Sequence, residues 1–414
     1  MQAKVIKTDE EHSAALARLG ELVGAKRGTP EGDEFELLAT LAEAYERNRF
    51  AMPLPDPIEA IRFRMEQAGL TQKDLIPSIG SASKVSEVLN GRRRLSLGMI
   101  RRLHANFGIP LESLTGDPDA VLPDNPQGWE WKKFPVWEMV KRNWICGFQG
   151  TAAEARERAE ELVRGFLQPL APLSQTTAAL LRHKIRSGSE MDEYALLAWR
   201  ARILILAKEQ SVADYQDNLR TPDFLKRLTS LSVLGDGPRL AAELLQKNGV
   251  RLVVEKHLPK TYLDGAATML GPAQPVVALT LRYDRLDNFW FTLCHELGHI
   301  ALHLAGHAHD WFLDDMSANA RGLEAEADRF AENALIPPSA WKHFQSRPEL
   351  STRNVCEFAS GLGVHPAVVA GRIRRESHSY RRFSKIVGCG QVRKHFRLQT
   401  QDCTMPNFPR EVSR

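Results

Sequence analysis

The run from Phe289 to Leu304, F-W-F-T-L-C-H-E-L-G-H-I-A-L-H-L, constrains the fold more than any other stretch of the chain. Leu293, Leu297, Ile300 and Leu304 recur at intervals of four, three and four, which lays an apolar stripe along a buried helix. No proline interrupts the run, and Glu296 is its only formal charge. His295 and His299 stand four residues apart, one turn above each other on one face. Two neutral imidazoles so placed can bind one Zn²⁺, which then needs a third protein ligand and keeps a position for a water whose pKa falls towards about 7. Glu296 flanks that position as the base that takes the water's proton and passes it to a leaving amine. The bland alternative is a chance match, with both histidines merely hydrogen-bonded on a helix face.

The third ligand decides the type of site. In the extended pattern H-E-x-x-H-x-x-G-x-x-H, positions 302 and 305 would be Gly and His, but they are Leu302 and Ala305. The ligand must therefore come from elsewhere. Downstream, Arg321 to Pro337 reads R-G-L-E-A-E-A-D-R-F-A-E-N-A-L-I-P, a second amphipathic helix. Its Glu324 and Asp328 share a face, while Glu326 lies about 200° around from Glu324. Glu324 can ligate, and Asp328 can accept a hydrogen bond from a ligand histidine. The competing reading is that acids in a first helical turn only stabilise the helix dipole.

H-E-L-G-H followed by E-A-E-A-D-R-F-A-x-x-x-L-I-P resembles the ImmA/IrrE family of zinc metallopeptidases over about residues 240 to 375. The resemblance implies that His295, His299 and Glu324 are the ligands and Glu296 the catalytic base, with Asp328 where the family often has Asn. It also implies regulated cleavage of a particular protein, often a repressor.

A chain of 414 residues has room for two or three domains, and 43% hydrophobic with 26% charged residues is ordinary for a soluble globular protein. The N-terminal M-Q-A-K-V-I-K-T-D-E carries no apolar signal segment, and the apolar run Ala195 to Ala207 contains Arg200 and Arg202. A cytoplasmic protein away from membranes is expected. The five cysteines form no C-x-x-C pair, which argues against a disulfide framework or a thiolate zinc site, and Cys294 reads as a small buried hydrophobe. A net charge of +4 is modest, so its distribution matters more than its size.

Residues 1–52 are predicted to form a helical hairpin, Glu10 to Leu22 and Asp33 to Arg49, broken at Gly28, Pro30 and Gly32. A hairpin this polar needs a partner, the next unit of the chain or a second copy, and a dimerisation extension is expected. Residues 53–118 change character. Short helices separated by glycines, with Thr71 and Ser81 as N-caps, predict a helix-turn-helix whose second helix begins at about Ala82. Ser83, Lys84 and Glu87 are then candidates for base edges, and Gln72, Lys73, Arg92, Arg93 and Arg94 for phosphates. A small helical bundle without nucleic acid is the alternative, since a charge run is usually a solvated face.

The stretch I-R-F-R-M-E-Q-A-G-L-T-Q-K-D-L-I-P-S-I-G-S-A-S-K-V-S-E-V-L-N-G-R-R-R-L-S resembles the HigA antitoxins of the Xre/Cro class, and the preceding hairpin matches their N-terminal extension. That resemblance implies dimers on palindromic operators and neutralisation of a HigB-type RNase. Pro77 departs from the pattern inside the first helix of the pair, and such antitoxins end near residue 120, where this chain continues.

Residues 119–240 are expected to be a linker, D-P-D-A-V-L-P-D-N-P-Q, and a helical middle domain. Trp129, Trp131, Trp137 and Trp144 lie among basic residues and could stack single-stranded nucleic acid, though a satellite core is the better account of such large side chains. Residues 150–247 read as helical throughout. Strands are predicted at 250–255, 266–270 and 276–283, a small sheet whose edge could hold an extended substrate; Tyr262 or Tyr283 could serve the oxyanion, though core or edge packing is the better account of either. The metallopeptidase domain is assigned to 241–350. Residues 351–414 read as C-terminal helices and a basic tail. The helices resemble a second helix-turn-helix or, equally, two helices closing the peptidase. The tail runs from Arg372, Arg374 and Arg375 to Arg414 and offers a second nucleic-acid surface.

The fold expected is mainly α, with a small β-sheet (α+β) in the metallopeptidase domain and a helix-turn-helix domain at the N-terminus. The function expected is a DNA-binding, homodimeric regulator with a Zn²⁺-dependent endopeptidase acting on a specific protein substrate. Single-stranded DNA is its candidate trigger. The rival is an antitoxin-like autorepressor whose metal site is not catalytic.

Overall fold

A computed structural model describes residues 5–49, 54–118, 120, 122, 129–173, 191–304, 311–313, 320–346 and 350–396. The chain divides into two compact units, Met1–Asp124 and Asn125–Arg414.

The first unit opens on helices α1 (Asp9–Leu22) and α2 (Pro30–Arg49). Helix α2 starts three residues earlier than predicted. Proline is preorganised for a first helical position, and Gly32 lies inside the first turn because a Cβ there would run into the Lys26 carbonyl. The pair is clasped mainly by polar contacts: Arg18 to Glu34 at 2.8 Å, His12 to Glu46 at 2.8 Å and Tyr45 to Asp9 at 2.7 Å. Few apolar side chains are buried there, Ala15, Leu22 and Ala42 among them, while Leu16, Val23 and Leu37 are exposed.

Helices α3 (Pro57–Ala68), α4 (Ile76–Ile79), α5 (Ala82–Leu89), α6 (Leu97–Phe107) and α7 (Leu111–Thr115) enclose Ile61, Leu75, Ile79, Val85, Val88, Met99 and Leu103. Helix α5 begins at the predicted residue, with the Ser81 hydroxyl accepting from the Lys84 amide. Thr71 is not a helix cap. Its amide and hydroxyl both donate to Asp74 at 2.7 Å in a turn, and α4 is four residues long with Pro77 in its first turn.

The second unit is built on a four-stranded sheet of β1 (Arg251–Val254), β2 (Gly265–Met269), β3 (Pro275–Leu279) and β4 (Trp311–Leu313), in the order β1-β3-β2-β4. β1 runs parallel to β3, with Arg251 opposite Val276, while β2 is antiparallel to both β3 and β4. β4 was not foreseen. β2 and β3 are buried along their whole length, so the sheet is covered on both faces.

Alternate residues serve alternate cores, as the two-residue period of a strand requires. Leu252, Ala267, Met269, Val277 and Leu279 join the cluster containing Leu293, Leu297 and Ile300. Val253, Ala266, Val276 and Ala278 join the cluster containing Trp144, Val163 and Trp199. The middle segment therefore supplies the second wall of this sheet, and the expected divisions at 240 and 350 fall inside one unit.

That wall comprises α8 (Val136–Lys141), α9 (Ala152–Glu157), α10 (Ala159–Leu167) and α11 (Glu193–Glu209). α11 is buried from Ala195 to Ala207 with the exception of Leu197, Arg200 and Arg202 included, and the Trp199 indole donates to the Glu255 carbonyl at 3.1 Å. Residues 210–220 are not helical; α12 (Pro222–Ser230) and α13 (Gly237–Lys247) resume the helical run. The tryptophans pack: Trp144 stacks on Phe166 at 6.2 Å, Trp131 on Phe134 at 6.1 Å, and the Arg164 guanidinium lies 4.7 Å from the Trp131 ring.

On the other face lie α14 (Leu286–Leu302), α15 (Ala320–Leu335), α16 (Pro338–Gln345), α17 (Thr352–Leu362) and α18 (Pro366–Glu376). Among the described residues no helix is long and apolar enough to cross a membrane. Truncating Trp199 to Ala is expected to cost about 3–5 kcal/mol, read as a lower denaturant midpoint for the second unit.

Candidate metal centre

The predicted helix is α14, buried on nearly all sides, with His295, Glu296 and His299 at 6%, 2% and 1% exposure. α15 packs along it and brings Glu324 to the histidines. The three Nε2 and carboxylate contacts close a triangle. His295 Nε2 is 3.0 Å from His299 Nε2 and 3.1 Å from Glu324 Oε2, and His299 Nε2 is 3.5 Å from Glu324 Oε1.

The donor chemistry fits a cation. His295 Nδ1 lies 3.0 Å from Asp328 Oδ1, so that nitrogen donates and leaves Nε2 with its lone pair. Two Nε2 atoms and a carboxylate converging without donors among them is a poor arrangement for hydrogen bonding and a good one for Zn²⁺. Protonation points the same way. Burial lowers the His299 pKa, favouring neutral imidazole, and pushes the Cys294 thiol up to about 12, which removes it as a ligand.

Glu296 faces a cavity of about 540 Å³ that His295, Glu324 and Asp328 also line. Gly265, at the start of β2, lets the sheet approach it: a Cβ there would sit 2.4 Å from Glu296 Oε1 and 2.9 Å from Thr292 Cγ2. Asp264 lines the same cavity, and burial raises its pKa.

β2, the strand that abuts Glu296, lies between β3 and β4, so the edges of the sheet are β1 and β4. Two expectations are corrected here. Tyr262 and Tyr283 are exposed, each faced by the Arg282 guanidinium, and neither lines the cavity; Tyr380 does. Arg372, Arg374 and Arg375 are not a free basic surface. They line the cavity from α18 and pair with Glu376 and Glu332, with Asp287, and with Glu332 respectively. Arg393 donates to the carbonyls of Leu281 and Arg282, and Arg410 and Arg414 lie outside the described residues. α17 and α18 thus close the peptidase core. The motif reading also missed His303 and Glu326, although His303 repeats the four-residue step from His299.

In the first unit Gln72, Lys73, Ser83, Arg92 and Arg94 are exposed, while Lys84, Glu87 and Arg93 are partly covered. The Glu87 carboxylate accepts from Arg93 at 2.6 Å and from Ser83 at 3.1 Å, which holds it well below the usual carboxylate range. Arg93 is thus engaged within the protein before any phosphate arrives.

Residues 246–374 match the family model of the IrrE N-terminal-like domain, peptidase family M78. The N-terminal part is 36% identical over 112 residues to Antitoxin HigA of Escherichia coli strain K12, covering 25% of this chain and 78% of that protein, and equally to Antitoxin HigA of Shigella flexneri. The chain belongs to the HigA family. An IrrE-like domain of metallopeptidase type is fused behind the HigA-like helix-turn-helix.

Gly265→Ala is expected to leave zinc affinity within about threefold while displacing the Glu296 carboxylate, lowering any cleavage rate about 100-fold. Chelator competition and a cleavage assay on one preparation check the two halves.

Proposed function

We propose that this HigA-family chain is a DNA-binding regulator whose second unit is a zinc-dependent endopeptidase. It cuts one specific regulatory protein, a repressor or a partner, in a stress, phage-defence or mobile-element response. The observation that carries the reading is the convergence of His295, His299 and Glu324 within reach of one ion, beside a cavity that His295, Glu296 and Glu324 line. Zn²⁺ held by those three side chains would supply Lewis acidity and a water acidified towards neutrality. Asp328 holds the His295 ring with Nδ1 protonated, so that Nε2 stays a lone-pair donor. Glu296, buried at 2% exposure, would accept the proton of the attacking water and return it to the leaving amine.

Operator binding belongs to the first unit. A homodimer would place α5 of each copy in successive major grooves, with Ser83 and Lys84 towards base edges and Gln72, Lys73, Arg92 and Arg94 towards phosphates. Tethering to an operator raises the local concentration of a DNA-bound substrate, which suits a cytoplasmic protein with few targets.

Likeness to Antitoxin HigA favours a second reading, an autorepressor that neutralises a HigB-type RNase and whose metal site is not catalytic. Glu296→Gln separates the two. If the peptidase reading holds, the variant keeps stoichiometric zinc and loses cleavage of a co-expressed substrate by about 100-fold or more. Zinc in both forms with cleavage by neither would favour the antitoxin. For the operator, Lys73→Ala and Arg92→Ala are each expected to weaken duplex binding alike on all sequences and to lower the salt slope by about one. Titrations at several salt concentrations check this.

A further inference from the structure

The two histidines of the metal centre are each held from behind, but by different devices. His295 has a carboxylate, Asp328, on its Nδ1. His299 has another imidazole: its Nδ1 lies 3.0 Å from His303 Nδ1, and His303 Nε2 lies 3.1 Å from Glu326 Oε2. The His303 side chain is only 5% exposed, whereas Glu326 is half exposed at the mouth of this chain of contacts.

Proton counting orders the chain. A carboxylate can only accept, so His303 Nε2 carries the hydrogen that faces Glu326. In neutral His303, Nδ1 is then the acceptor, and the hydrogen between the two rings belongs to His299 Nδ1. That leaves His299 Nε2 with its lone pair, directed at His295 and Glu324 where a cation would sit. We infer that His303 and Glu326 are a positioning pair that fixes the ring orientation and tautomer of His299 for metal binding. The inference rests on the metal reading of this site. α15 then provides one ligand and both anchoring carboxylates: Glu324 binds, Asp328 holds His295, and Glu326 holds His299 through His303.

Chelator competition for Zn²⁺ on the full chain, with thermal unfolding of the metal-free forms alongside, tests this without any substrate. His303→Leu fills the same buried space without an acceptor and should weaken zinc binding about 10- to 100-fold. His303→Asn places a carbonyl oxygen where Nδ1 stood and should return affinity to within about threefold of wild type. Glu326→Ala, which removes only the group that selects the His303 tautomer, should weaken binding about three- to tenfold. If His303→Leu fails to fold, the Asn and Ala variants still carry the test. A wild-type protein without zinc affinity would overturn the metal reading and this inference with it. Wild-type affinity in His303→Leu, or equal weakness in the Leu and Asn variants, would overturn the pair alone.

Discussion

Packing of the helix from Ala320 to Leu335 along the helix from Leu286 to Leu302 is the contact on which the second unit depends. Neither helix makes the site alone. The first presents two imidazoles and a base, and without the second those groups would be buried polar side chains with no compensating charge. The second contributes Glu324 and the carboxylates that hold the rings. The sheet then presses on the first helix, closely enough that only glycine fits at 265.

The centre was legible because its chemistry repeats at helical spacing. His295 and His299 declare themselves at four-residue spacing beside an apolar stripe, with Glu296 next to the first, and Glu324 with Asp328 repeats that spacing one helix later. Reading stopped short where the period carries no label. His303 is the next step after His299, but a motif that ends at its second histidine gives no reason to take it. Glu326 looked misplaced by its angle from Glu324; a long side chain and a partner on the flank of the first helix resolve that.

Elsewhere the failures share one cause, since a charge or an apolar run says little about what it will face. Arg372, Arg374 and Arg375 counted as a basic surface until the fold turned them into the cavity wall opposite acidic partners. The helix from Glu193 to Glu209 has no polar side from which to read its orientation, so the middle segment looked like a domain of its own when it is the second wall of the sheet. β4 is three residues long, too short to show alternation. Thr71 is held in a turn by Asp74, and the helix after it, with Pro77 in its first turn, stops after four residues at Gly80, whose φ of 132° no helix continues.

Cys294 precedes a candidate zinc ligand, yet its side chain belongs to the apolar cluster, and burial keeps the sulfur protonated up to about 12. A thiol in that state is neither a soft competitor for the ion nor a nucleophile for peroxide or disulfides. The candidate centre is therefore furnished with nitrogen and oxygen donors only, and its hold on a metal would be set by acidity and geometry. Oxidising conditions that strip zinc from thiolate sites leave this donor set chemically unchanged.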